Sequence, residues 1–160
     1  MHDVMPISQT GHDKLKEELT RLEAEAVELR KRVEEARLQG DLKENGEYIY
    51  GRQNLGFCEG RMGEIMGKLN YSKVVDCSTV STDKAGFGTV VTLRNLDSKD
   101  KRTYLLLGPH DADLTDESIS IVSPIGEALV DRVVGDQITV NVPRGELSFE
   151  VLEIAKADIQ

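Results

Sequence analysis

The sequence predicts an α+β protein: an N-terminal antiparallel helical hairpin (a coiled coil folded back on itself), followed by a small β domain with one short helix. Three observations predict it. Apolar residues recur in alternating steps of three and four over two long segments. A short acidic turn, Gly40-Asp41-Leu42-Lys43-Glu44-Asn45-Gly46-Glu47, joins those segments. From Ser72 onward the apolar period becomes two, the mark of strands with one buried face. The boundary is expected near residues 72–80, which gives a hairpin unit over 1–76 and a β unit over 77–160.

The first arm carries its seam at Leu15, Leu19, Leu22, Ala26, Leu29, Val33 and Ala36. A repeat of about 3.5 residues keeps one stripe of a helix against a partner helix. Met1 to Met5 read as a loose end, and Ser8 or Thr10 supplies a cap before the helix. The helix should run to about Gln39 and stop at Gly40, a residue suited to a left-handed cap. Glu17, Glu18, Arg21, Glu28, Arg30, Lys31 and Arg32 make a solvated outer face.

The returning arm begins near Glu47 and fades after Leu69. Its seam is Tyr48, Gly51, Leu55, Cys58, Met62, Ile65 and Leu69. Gly51, Gly56, Gly60, Gly63 and Gly67 are many for a helix, each costing about 1 kcal/mol relative to Ala in an isolated one. They imply close approach of the first arm, or a second arm held mainly by its partner. An arm of some 28 residues spans roughly 40 Å, so the acidic turn sits at the end of a long rod.

Strands are expected at Gly88 to Leu93, Arg102 to Leu107, Ser118 to Val122, Gln137 to Val142 and Glu146 to Ile154. Asn95 to Asp100 and Pro143-Arg144-Gly145 supply the turns. A short helix over Pro124 to Val130 has Ser123 as its cap and Pro124 at its first position, where a missing N–H costs nothing. The expectation is an antiparallel sheet of four or five strands with that one helix.

A net charge of −9 excludes a general polyanion binder and fits docking onto a basic protein surface. The sequence offers neither a membrane-length apolar run nor a signal pattern, so no membrane partner is expected and the cytoplasm is the default location. Cys58 and Cys77 form no metal or redox motif, and His2, His12 and His110 show no ligand spacing.

Asp41 and Glu44 are the candidate chemical groups. Their spacing also suits a helix cap, with Asp41 as cap and Glu44 reaching back. The metal reading is that two carboxylates could hold a weakly bound Mg²⁺, an ion that takes one or two carboxylates and keeps several waters. An isolated acidic tip has no pocket of its own, so such a site makes sense inserted into another protein. Arg37 and Arg52, one on each arm near the tip, could share a face and hold a nucleic-acid phosphate, or be ordinary surface charge. Tyr48 falls on the seam. Tyr50 is the better candidate for an exposed aromatic that stacks a base.

The tip GDLKENGEY, the returning GRQNLGFCEGRM and the later SPIGEAL together resemble the bacterial Gre transcript cleavage factors, from Pro6-Ile7 to about Ile154. Gly46 stands where Ala is frequent in that family, and the basic patch is sparse. The resemblance implies an FKBP-like C-terminal domain that docks on the largest-subunit coiled coil of RNA polymerase at the secondary-channel rim, through Ser123, Pro124 and their neighbours. It implies that the hairpin enters the channel, where Asp41 and Glu44 help hold a second Mg²⁺ shared with the polymerase. It further implies that Arg37 and Arg52 meet the extruded 3′ end of nascent RNA. The protein would then be no enzyme itself but a cofactor to the polymerase's own RNA cleavage. Rival readings are a prolyl isomerase, which needs an aromatic-lined pocket that Phe87, Tyr104 and Phe149 would have to furnish, and a non-catalytic channel binder. A free-standing nuclease is disfavoured because a rod lacks a pocket.

Overall fold

The computed structural model describes residues 4–40 and 46–159. In chain order the elements are β1 (Met5–Ile7), α1 (Gln9–Arg37), α2 (Gly46–Asn70), β2 (Ser72–Val74), a 3-10 turn (Cys77–Thr79), β3 (Thr89–Asn95), β4 (Lys101–Leu107), β5 (Ser118–Ser120), α3 (Pro124–Leu129), β6 (Gln137–Val142) and β7 (Gly145–Lys156). Two compact units result: Asp13–Asn70, and Met1–His12 together with Tyr71–Gln160. Among the described residues, no helix is long and apolar enough to cross a membrane.

In the helical unit every seam residue expected from the sequence is buried or half-buried. Ala26 and Ile65 are fully enclosed, with Leu22, Ala36 and Cys58 nearly so. The arms are tied by more than apolar packing. The Cys58 thiol donates to the Leu22 carbonyl at 3.3 Å, across the seam. Arg61 on α2 forks onto Glu18 of α1, at 2.9 Å from Nε and 3.2 Å from Nη2. Such a fork fixes orientation as well as charge. The glycines of α2 divide into two kinds. At Gly51 a Cβ would sit 3.1 Å from Val33 Cγ2, so the arms do approach closely there. Gly56, Gly60, Gly63 and Gly67 face open space, and the close-approach expectation fails for those four.

Helix α1 ends at Arg37 rather than Gln39, and a cation in the last turn suits the negative end of the helix dipole. Gly40 has φ 159°, positive but far from the roughly +57° of a left-handed cap, so the expected left-handed cap is absent. At the other end Ser8 is the cap: its hydroxyl accepts from Gly11 N at 3.0 Å, while Thr10 lies within the helix.

The sheet unit orders its strands β5-β4-β3-β7-β6. β3 pairs antiparallel with β4 and β7, and β6 pairs antiparallel with β7. β5, however, runs parallel to β4, which corrects the all-antiparallel expectation. The stretch between β4 and β5 carries the chain back to the starting end of β4, and a chain so returned can pair only in parallel. A further departure lies at the chain start. Met5 opens β1, which pairs parallel with β2 in the register Met5↔Ser72 to Ile7↔Val74. Met5, expected at the end of a loose segment, therefore belongs with the sheet unit, while Met1 to Asp3 lie outside the described residues.

One buried polar node fastens that segment. The Asp111 carboxylate accepts from Ser8 N at 2.8 Å, from Ser8 Oγ at 2.7 Å and from Gly108 N at 3.0 Å. Both faces of the large sheet are covered. Val91, Leu93, Leu106, Phe149 and Val151 pack on one face with Leu129 of α3. Leu105 and Leu107, pointing the other way by strand alternation, pack with Cys77 and Phe87. This one-helix sheet is the small domain expected over the second half.

Candidate functional site

Asp41, Lys43 and Glu44, the core of the candidate tip, lie outside the described residues. What the structure places is the pair of helix ends that present them. Arg37 occupies the last turn of α1 and Glu47 the first turn of α2, so the turn departs from one arm and enters the other within a few residues.

Of the two predicted arginines, Arg52 contacts Tyr48, and Arg37 pairs within its own helix. Arg52 donates to the Tyr48 hydroxyl at 3.4 Å, and its guanidinium carbon lies 5.7 Å from the ring centroid, a cation–π separation. Arg37 donates to Glu34 at 2.9 Å, one turn earlier on α1. That hydrogen bond is the main reason the Arg37 guanidinium holds its proton even more firmly than usual; Tyr48 adds a smaller electrostatic contribution of the same sign. Tyr48, expected as seam packing, is half-buried and also props Arg52. Arg37 thus spends part of its charge on Glu34, and Arg52 is braced over an aromatic ring.

Elsewhere on the hairpin lies a feature that sequence reasoning missed. A groove of about 230 Å³ opens between the arms, with Gln39 just past the end of α1 and Tyr50 and Asn54 on α2 among its lining. Tyr50 is 67% exposed, as the sequence suggested. The available signal was the small pair Ala36 and Gly51, both in the lining, whose lack of side-chain bulk leaves room beside the seam even though the backbones come close at Gly51.

In the sheet unit, Ser123 caps α3 by accepting from Gly126 N at 3.1 Å, and its hydroxyl donates to the Ser120 carbonyl at 2.6 Å. Pro124 follows at the first helical position and is exposed, as is Val122 before it. Gly126 packs so tightly on the Ser120 carbonyl that no side chain fits there. The Ser123-Pro124 corner is therefore a rigid surface feature whose hydroxyl is committed to structure. The aromatics a prolyl isomerase would need are dispersed: Phe149 is in one core with Tyr104 at its margin, and Phe87 packs on the other face.

Among the described residues, no group of three or more His, Cys, Asp or Glu could hold a metal ion. By residue type, Asp41 and Glu44 carry carboxylate oxygens, the donor kind that Mg²⁺ takes, and could supply one or two of its ligands.

Two family models cover nearly the whole chain. Residues 5–74 match the model described as transcription elongation factor, N-terminal. Residues 80–156 match transcription elongation factor, GreA/GreB, C-terminal. Transcription elongation factor GreA of Desulfovibrio desulfuricans is 40% identical over 151 residues, 94% of this chain and 93% of that protein. GreA of Desulfotalea psychrophila is 42% identical over 159 residues, 99% of each. Solved structures similar to the chain include GreA factor homolog 1 of Thermus thermophilus, at 22% identity and TM-score 0.45 over 94% of this chain and 97% of that one. A GreA/GreB factor of Nitrosomonas europaea has 22% identity and TM-score 0.43 over 94% and 97%. With both halves matched by the family's models and its relatives alike from end to end, the chain belongs to the GreA/GreB family of transcription elongation factors.

Proposed function

We propose that this chain is a transcript cleavage factor: it enters the secondary channel of RNA polymerase and stimulates the polymerase's own cleavage of backtracked nascent RNA. The observation that carries the reading is the full-length family match combined with a tip that retains both acids, Asp41 and Glu44, between two helices packed as a hairpin. The protein is then not itself an enzyme. Its carboxylates enter an active site that belongs to its partner.

Each part has a physical role. The sheet unit docks on the largest-subunit coiled coil at the channel rim through the Ser123-Pro124 corner, whose rigidity comes from the Ser123 cap. The hairpin reaches inward, and Arg37 and Arg52 contact a phosphate of the extruded RNA 3′ end. Asp41 and Glu44 orient the attacking water and supply oxygen ligands. A magnesium ion bound there with the polymerase's own ligands would stabilise the attacking and leaving oxygens of the phosphodiester. No such ion is tightly held by the free chain, because two carboxylates leave most of an octahedral set unfilled.

The test uses backtracked polymerase complexes carrying 3′-labelled RNA in Mg²⁺, with wild-type protein and the Asp41→Ala/Glu44→Ala double variant. Short RNA should be released with the wild type, while the variant binds equally and stays silent. Equal activity of both would reduce the acids to a helix cap, and binding without release by either would leave a channel-occupying regulator.

A further inference from the structure

The groove beside Tyr50 has a chemistry of its own. Tyr50 and Arg52 are two residues apart on α2, about 200° round a helix of 3.6 residues per turn, so Tyr50 and Arg52 face different ways. At about 230 Å³ the groove falls below the roughly 300–1,000 Å³ of pockets that hold a drug-sized molecule. It suits a single side chain or ring. Glu35 of α1 and Gln39 just beyond its end line it, with Glu47, Tyr50 and Asn54 of α2. Against the two carboxylates stands one cation, Arg32.

That set selects an occupant. A guanidinium is flat, carries five N–H donors and has no acceptor. The two carboxylates and the two amide oxygens answer the donors, while the exposed face of Tyr50 answers the plane by a cation–π contact. A nucleobase would also stack on Tyr50, but it brings a phosphate that Glu35 and Glu47 repel. We propose that the groove receives an arginine side chain of the polymerase when the hairpin is inserted, a proposal that rests on the reading of the polymerase as partner. Two carboxylates against one cation in the lining find their complement in a cationic side chain of the partner. A contact on one face only also fixes the rotation of the rod about its axis, and with it where the tip acids point.

The experiment measures binding of the labelled full-length protein to two polymerase elongation complexes, one backtracked with extruded RNA and one without extruded RNA. Tyr50→Ala and Glu47→Gln should each weaken binding about five- to tenfold in both complexes, and Tyr50→Phe, which keeps the ring, should restore near wild-type affinity. Undiminished binding by Tyr50→Ala would overturn the proposal. So would a loss confined to the complex with extruded RNA, which would make the groove a nucleobase site. Should Tyr50→Ala lose helicity, the isosteric Glu47→Gln decides by the same criteria. Failure of the wild type to bind either complex would remove the polymerase reading itself and the groove's occupant with it.

Discussion

Replacing Gly60 and Gly63 together by alanine should stabilise the hairpin. Both lie within α2, and a Cβ built at either meets nothing within 4 Å. The substitutions therefore add no clash and remove only the backbone freedom that glycine retains in the unfolded chain. Each should contribute about 1 kcal/mol, so the pair contributes about 2 kcal/mol if they add. Gly51→Ala is the control, because its Cβ would sit 3.1 Å from Val33 Cγ2. A helical valine holds one χ1 rotamer in about 90% of cases, so Val33 cannot simply rotate aside and the arms must part slightly. The propensity gain at Gly51 should be cancelled or reversed. Thermal unfolding followed by helical circular dichroism reads this directly, at about 4–8 °C per kcal/mol for a unit of this size. A double variant that melts at or below the wild-type midpoint would refute the reasoning, as would a Gly51→Ala gain equal to that of an open-face glycine.

Two further outcomes concern the polar ties. Asp111→Ala strands Ser8 N, Ser8 Oγ and Gly108 N, and should cost at least about 3 kcal/mol in urea unfolding, because buried donors lose their acceptor; a loss below about 1 kcal/mol would show that water replaces the carboxylate. The Glu18 carboxyl is held below its ordinary value mainly by the hydrogen bond from Arg61, against a smaller opposing effect of burial. A depressed folded value means stability that is present above the unfolded carboxylate range and is lost as pH falls through the folded value. The stability difference between wild type and Glu18→Gln should therefore shrink as the pH falls from 4.5, the ordinary carboxyl value, and a difference that persists unchanged to low pH would refute it.

Much of the helical unit was legible because its determinants are local. The alternating three-and-four step sets which residues face the partner arm, and burial of the whole seam from Leu15 to Leu69 follows from that period alone. Helix α3 was legible for the same reason, since Ser123 and Pro124 act within one turn of themselves. The glycines of α2 were not, because composition cannot say whether a residue without a side chain faces a neighbour or water.

The sequence by itself determined the family, the division into rod and sheet, the identity of the acids and arginines near the tip, and the exposure of Tyr50. These depend on residue type and short-range spacing. The tertiary structure alone decided that β5 runs parallel to β4, that β1 joins β2, and that Asp111 reaches across 103 residues of sequence to cap Ser8. It also decided that Tyr50 opens onto a groove between the arms. Each of these is a pairing between segments distant in sequence or a choice of helix face. Such pairings are settled by closing a core and leaving no buried donor unmet, which no local pattern encodes.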